Sequence, residues 1–128
     1  MHKLVIENYK KGDPTTINSF DIMKKCAKKM KYAINSNIKD IGEIMNQNWS
    51  AQKNLNPLMT NSRIEKAETI AFKQKALGFK CNGAGGGGSI TILSSIKNEY
   101  DLRKKFQENN FNLLPCKLCF QGVKSVEI

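Results

Sequence analysis

The chain has 128 residues and a mean hydropathy of −0.47: enough for one domain with a modest core, and short for an enzyme that must seat a nucleotide and a second substrate in its own cleft. Its formal charge of +10 suggests an anionic partner, but Arg63 and Arg103 are the only arginines, so the planar fork that reads bases and clamps phosphates is scarce and nucleic acid is disfavoured. No apolar run of about 18 residues is present to span a membrane, and Leu4-Val5-Ile6 is too short for a secretory leader, so the expectation is a cytoplasmic protein with Cys26, Cys81, Cys116 and Cys119 as reduced thiols.

Asp13-Pro14 reads as a helix cap followed by a first-turn proline. Ile17, Phe20, Met23, Ala27, Met30 and Ile34 follow at spacings of three and four, which predicts one apolar stripe. Lys24, Lys25, Lys28, Lys29 and Lys31 fall largely on the other side, either a solvated face or one turned toward an anionic ligand or acidic neighbour. Asn35-Ser36-Asn37 breaks the helix, and a second starts near Ile38 with Ile41, Ile44, Met45 and Trp49 inward. It should end before Asn56-Pro57, because a residue preceding proline avoids helical angles. A third opens at Thr60-Asn61-Ser62, with Ser62 and Glu65 at capping-box spacing. Its stripe is Ile64, Ala67, Ile70, Ala71 and Leu77, and Gly78 is placed to end it.

The pattern then changes. Phe79 to Asn82 is a strand candidate, 83–88 a loop of five glycines and Ala84, and Ser89 to Leu93 a β-rich run. A helix is expected from Asn98 to about Glu108 with Leu102 and Phe106 inward, then a strand from Phe111 to Phe120 kinked by Pro115, and a short strand in Val123–Ile128. Helices beside a small group of strands define an α+β sandwich. No repeat or long linker divides residues 1–128, which are read as one domain.

Glycine loses the most freedom on folding, so a chain keeps such a loop where backbone needs positive φ or where something approaches closely. Successive bare N–H groups can converge on one anion. A Walker loop fails, because Ser89-Ile90 stands where Lys-Ser/Thr is required. Gly83, Gly85 and Gly88 match G-x-G-x-x-G, but that motif needs a helix next and Ile90-Thr91-Ile92-Leu93 is β-rich. The strand–loop–strand of protein kinases fits better, without its V-A-I-K, H-R-D and D-F-G partners. The plain alternative is a glycine-rich hairpin with no ligand.

The stretch from Gly78 through Lys80, Asn82 and Gly83-Ala84-Gly85-Gly86-Gly87-Gly88 resembles the third, glycine-rich motif of the GHMP kinases, the family named for galactokinase, homoserine kinase, mevalonate kinase and phosphomevalonate kinase. Ile41 to Asn46, Asn48 to Lys53 and Met59 to Glu65 are also similar, in the same order, most of all to the heptose-7-phosphate kinase and fucokinase branch. The likeness runs from about Lys3 to Val123. It implies the family's C-terminal domain, a ferredoxin-like sandwich of helices on a small antiparallel sheet. It also implies transfer of the ATP γ-phosphoryl group to a sugar or sugar phosphate in the full-length enzyme.

The family's first motif, its P-x-x-x-G-L-G-S-S-A phosphate loop, its catalytic acid and its Mg2+ ligands belong to an N-terminal domain whose segments are missing here. The resemblance therefore assigns this chain no catalytic base and no metal ligand, and neither ATP nor Mg2+ is expected to be held by it alone. Gly83 to Gly88 would lie beside the ATP phosphates and the substrate, with Lys80, Asn82 and Ser89 as possible additions. Lys80 is as readily a solvent-facing strand lysine. The main partner implied is the missing domain, with weak self-association through the face it leaves. A stand-alone regulatory domain and a basic nucleic-acid-binding module are the competing readings.

Trp49 and Lys53 are one turn apart on the second helix; a packing role for the tryptophan is preferred to contact with a sugar. Cys116-x-x-Cys119 lacks two further zinc ligands at useful spacing and does not open a helix, so its cysteines read as structural thiols.

Overall fold

A computed structural model describes residues 1–116 and Ser125. Among them are five α-helices, α1 (His2–Lys10), α2 (Pro14–Ala33), α3 (Ile38–Lys53), α4 (Ser62–Lys73) and α5 (Ile96–Glu108), a 3₁₀ turn at Pro57–Met59, and strands β1 (Gly78–Cys81) and β2 (Ile90–Leu93). The strands pair antiparallel, Phe79 opposite Ile92 and Cys81 opposite Ile90. The expected α+β architecture, helices packed on a small antiparallel sheet, is observed. No helix in the described residues is long and apolar enough to cross a membrane.

The main core lies under one sheet face. Phe79 and Cys81 pack there on Trp49 of α3, Ile64, Ala67 and Ala71 of α4, and Leu102 and Phe106 of α5, with Ile90 and Ile92 at the margin. Two smaller clusters join the N-terminal helices: Val5, Leu55 and Met59 with Phe20 and Met23, and Cys26, Ala33 and Ile44 with Ile22, Met30 and Ile41.

Helix α3 lies along the outer edge of β1. Gly42 and Gly78 make the approach possible: a Cβ on Gly42 would sit 2.4 Å from Leu77 O, and one on Gly78 2.8 Å from Gly42 Cα. Asn46 replaces a neighbouring strand, its Nδ2 donating to Leu77 O at 3.0 Å and its Oδ1 accepting from Phe79 N at 2.9 Å. An unpaired edge is thereby satisfied by one side chain.

Several expectations are corrected. Helix α1 has no counterpart in the periodicity, because Leu4, Ile6 and Tyr9 face solvent and only Val5 is buried. The buried face of α2 is Thr16, Ser19, Cys26 and Ala33, with Phe20, Met23 and Met30 beside it. Ile17, Ala27 and Ile34, expected inward, are exposed: the inner face uses small residues, which let helices approach closely. At α4 the cap is Asn61, whose Oδ1 accepts from Ile64 N at 3.0 Å, rather than Ser62.

Helix α4 also stops before Gly78. Lys75 takes φ +60, its N–H bonds Phe72 O, and Ala76 N–H bonds Ala71 O, the paired bonds of a Schellman stop. Leu77 is half-buried beyond the helix, and Gly78 instead opens β1. Residues 111–116 form no strand. Asn110, at φ +58, turns the chain so that Phe111 packs on Phe106 with ring centroids 5.1 Å apart, and Pro115 has no N–H for a ladder. The remainder of that expected strand, and the short strand at 123–128, lie outside the described residues.

Candidate functional site

The β1–β2 hairpin carries the glycine loop at its tip. Gly83, Gly85, Gly86 and Gly88 have φ of +65, +82, +75 and +89, the left-handed region that other residues enter at a cost. Ala84 and Gly87 lack positive φ, and Gly85 and Gly86 hold it in succession, so the loop changes backbone hand several times over six residues, the kind of conformation in which successive N–H groups can converge. Space also demands glycine at two positions: a Cβ on Gly85 would meet Met59 O at 2.7 Å, and one on Gly86 would meet Leu58 O at 2.8 Å.

The loop is fastened from behind. Gln52, buried on α3, donates Nε2 to Gly83 O at 3.0 Å. Asn61, while capping α4, donates Nδ2 to Gly86 O at 2.8 Å, and Gly86 N–H donates to Met59 O at 2.7 Å. At the base, Asn82 N–H donates to Ser89 O at 2.9 Å, Asn82 Nδ2 to Ser89 Oγ at 3.0 Å, and Thr91 Oγ1 to Asn82 Oδ1 at 3.0 Å. The buried Cys81 thiol has Gly87 O, Ser89 O and Asn82 O within 3.7–3.9 Å; one proton serves one of them at a time. The N–H groups of Gly83, Ala84, Gly85, Gly87 and Gly88 meet no acceptor among the described residues, and Gly86 to Gly88 are exposed.

Lys80 stands beside this network, its Nζ donating to Gln52 Oε1 at 2.6 Å. It is half-buried, and loss of water pushes its pKa below the ordinary lysine range, with Cys81 and Cys26 acting in the opposite direction.

The sequence-derived candidates Lys80, Asn82, Gly83 to Gly88 and Ser89 are thus brought together at one end of the sheet. Other positions are not part of it. Trp49 is 1% exposed and packs on Phe79 at 6.2 Å, which leaves no face for a sugar. Lys53 pairs with Glu68 at 2.9 Å and lies over the Trp49 ring at 5.5 Å. The lysine face of α2 is exposed. Cys116 is exposed, and Cys119 lies outside the described residues. Periodicity did not single out Gln52 and Asn61 as the loop's supports, because their contacts span 31 and 25 residues.

No family model matches the chain. Its similarity is to two longer kinases. The bifunctional fucokinase/GDP-fucose pyrophosphorylase of Arabidopsis thaliana is 30% identical over 112 residues, 85% of this chain and 10% of that protein. The D-glycero-alpha-D-manno-heptose 7-phosphate kinase of Campylobacter jejuni is 26% identical over 127 residues, 96% of this chain and 38% of that protein. The chain therefore spans a tenth of one relative and under two fifths of the other. Over most of its length it is similar to part of each of these two proteins.

Proposed function

We propose that the chain is the C-terminal domain of a two-domain, cytoplasmic, ATP-dependent kinase of the GHMP type, acting on a sugar or sugar phosphate, and that its Gly83–Gly88 loop lies beside the ATP phosphates and the substrate. The observation that carries this reading is a loop fastened from behind by Gln52, Asn61 and Met59 while its other N–H groups lack acceptors among the described residues. Fixed N–H dipoles stabilise the charge spread over a transferring phosphoryl group without reorganising during the step.

The phosphate loop and the catalytic acid come from the other domain in this reading. Among the described residues no three His, Cys, Asp or Glu side chains are grouped to hold a metal ion, and this reading assigns the Mg2+ ligands to the other domain. Exposed Leu58, beside Gly86, belongs to the face that the other domain covers. Left alone, that face supports weak self-association that strengthens with salt, as screening removes like-charge repulsion.

The test supplies ATP with fucose or heptose 7-phosphate to the chain alone, and to the chain joined to the N-terminal part of the Campylobacter jejuni kinase. No turnover alone and measurable turnover when joined is the expected result. Turnover by the chain alone at about 1–100 s⁻¹, or none in either form, contradicts the reading.

A further inference from the structure

Lys80 is the least expected cation in the fold. Strand alternation puts it on the sheet face opposite Phe79 and Cys81, away from the main core. It is half-buried, yet the ion pairs among the described residues are Lys53–Glu68, Arg103–Glu99 and Lys105–Glu108. None neutralises Lys80. Its one acceptor there is the neutral Gln52 Oε1, 2.6 Å away. A partly dehydrated cation without a counter-ion costs free energy that a methionine of similar length would not.

Gln52 makes the arrangement specific. It is 4% exposed, and both ends of its amide are engaged: Oε1 with Lys80, Nε2 with the carbonyl of Gly83. One buried side chain therefore sets the ammonium and the first residue of the loop in a fixed relation. The N–H groups of Gly83, Ala84 and Gly85 follow directly, without acceptors among the described residues.

We infer that Lys80 is the cationic ligand of a phosphoryl group seated at the start of the Gly83–Gly88 loop, and that Gln52 is the residue that positions it. The inference rests on the reading that the loop faces phosphate, and it names the charge that partners the loop's dipoles. The shared chemistry is a phosphoryl group with at least two negative charges; it belongs either to the nucleotide or to a sugar phosphate.

The test uses the ¹⁵N-labelled 128-residue chain at about 0.15 M salt, where diffuse attraction to the basic surface is screened. The probes are tripolyphosphate, ATP and mannose 6-phosphate. Without the other domain's phosphate loop the chain is expected to hold these probes only weakly, so they are raised to millimolar concentration; the expected result is then a shift of the Gly83–Gly88 amides by at least one probe, and which probe acts identifies the source. Lys80→Gln keeps a polar partner for Gln52 and removes the charge; it should weaken binding about tenfold or more, as loss of a charged hydrogen bond does. Lys80→Arg should recover most of the affinity, Gln52→Ala should fall between, and Lys28→Gln on α2 should change nothing. Affinity within twofold of wild type in Lys80→Gln, shifts confined to α2, or no binding of any probe would overturn the inference. The two proposals fail separately. Lys80-dependent binding without kinase activity in the joined protein removes the kinase reading and keeps the site. Full kinase activity in joined Lys80→Gln does the reverse.

Discussion

The two ends of the molecule are held together by different means. At the N-terminal end, α1, α2 and α3 share small apolar clusters, and α2 turns a row of exposed lysines outward. At the other end, a four-residue-per-strand hairpin is positioned by side-chain amides, Asn46 on the strand edge and Gln52 and Asn61 on the loop. Apolar contacts are non-directional and tolerate adjustment; hydrogen bonds to particular carbonyls fix position within tenths of an ångström. A region built the second way is suited to hold a ligand, and a region built the first way to support it.

The comparison breaks most visibly where α3 meets β1. Gly42 is helical, and alanine in a helix ordinarily stabilises by about 1 kcal/mol relative to glycine. Here the added Cβ would sit 2.4 Å from the Leu77 carbonyl, so Gly42→Ala should destabilise by about 3 kcal/mol. A thermal melt shows the sign: a loss of roughly 10 °C is expected, and a gain would mean that α3 does not press on the strand.

Asn46→Ala comes next. It strips partners from Leu77 O and Phe79 N together, and about 2 kcal/mol should be lost in denaturant titration. A loss below about 0.5 kcal/mol would put the edge in contact with water.

Within the loop a graded series sharpens the contrast. Gly85→Ala meets both positive φ and the Met59 carbonyl, Gly83→Ala meets positive φ alone, and Gly87→Ala meets neither. Expected costs are about 2–3, about 1 and near 0 kcal/mol in that order. Equal costs, read from the same denaturant titrations, would mean a loop without a fixed shape.

The smallest effect belongs to the N-terminal end. The Asp13 carboxylate accepts from Thr16 N–H at 2.7 Å, and hydrogen bonding to Thr16, through its side chain first and its backbone N–H second, holds the Asp13 pKa below the ordinary aspartate range. Its contribution is therefore complete above about pH 4, the unfolded value, and is lost as pH falls through the lower folded value. The stability gap between wild type and Asp13→Ala should be constant near neutrality and close in acid; a gap independent of pH would assign the cap no charge.

Sequence made one end more legible than the other, for physical reasons. The Asp13-Pro14 start of α2, the Asn35-Ser36-Asn37 break before α3 and the strand–glycine–strand order are local signals, and each appears in the structure. Helix α1 was hidden because its apolar residues do not face inward, and the stop of α4 because a lysine holds the left-handed position that glycine usually takes. The candidate site divides the same way. Its glycines are conspicuous in sequence, whereas Gln52, Asn61 and the Met59 carbonyl become its supports only through folding, at separations no periodicity encodes.

The central claim is that the loop is fastened on one side and open on the other. Residue-resolved amide exchange across 83–88 tests it most directly. Gly86 N–H, bonded to Met59 O, should exchange markedly more slowly than those of Gly83, Gly85, Gly87 and Gly88, which should exchange near the unprotected rate. Uniformly fast exchange including Gly86, or protection spread evenly over all the glycines, would contradict the account.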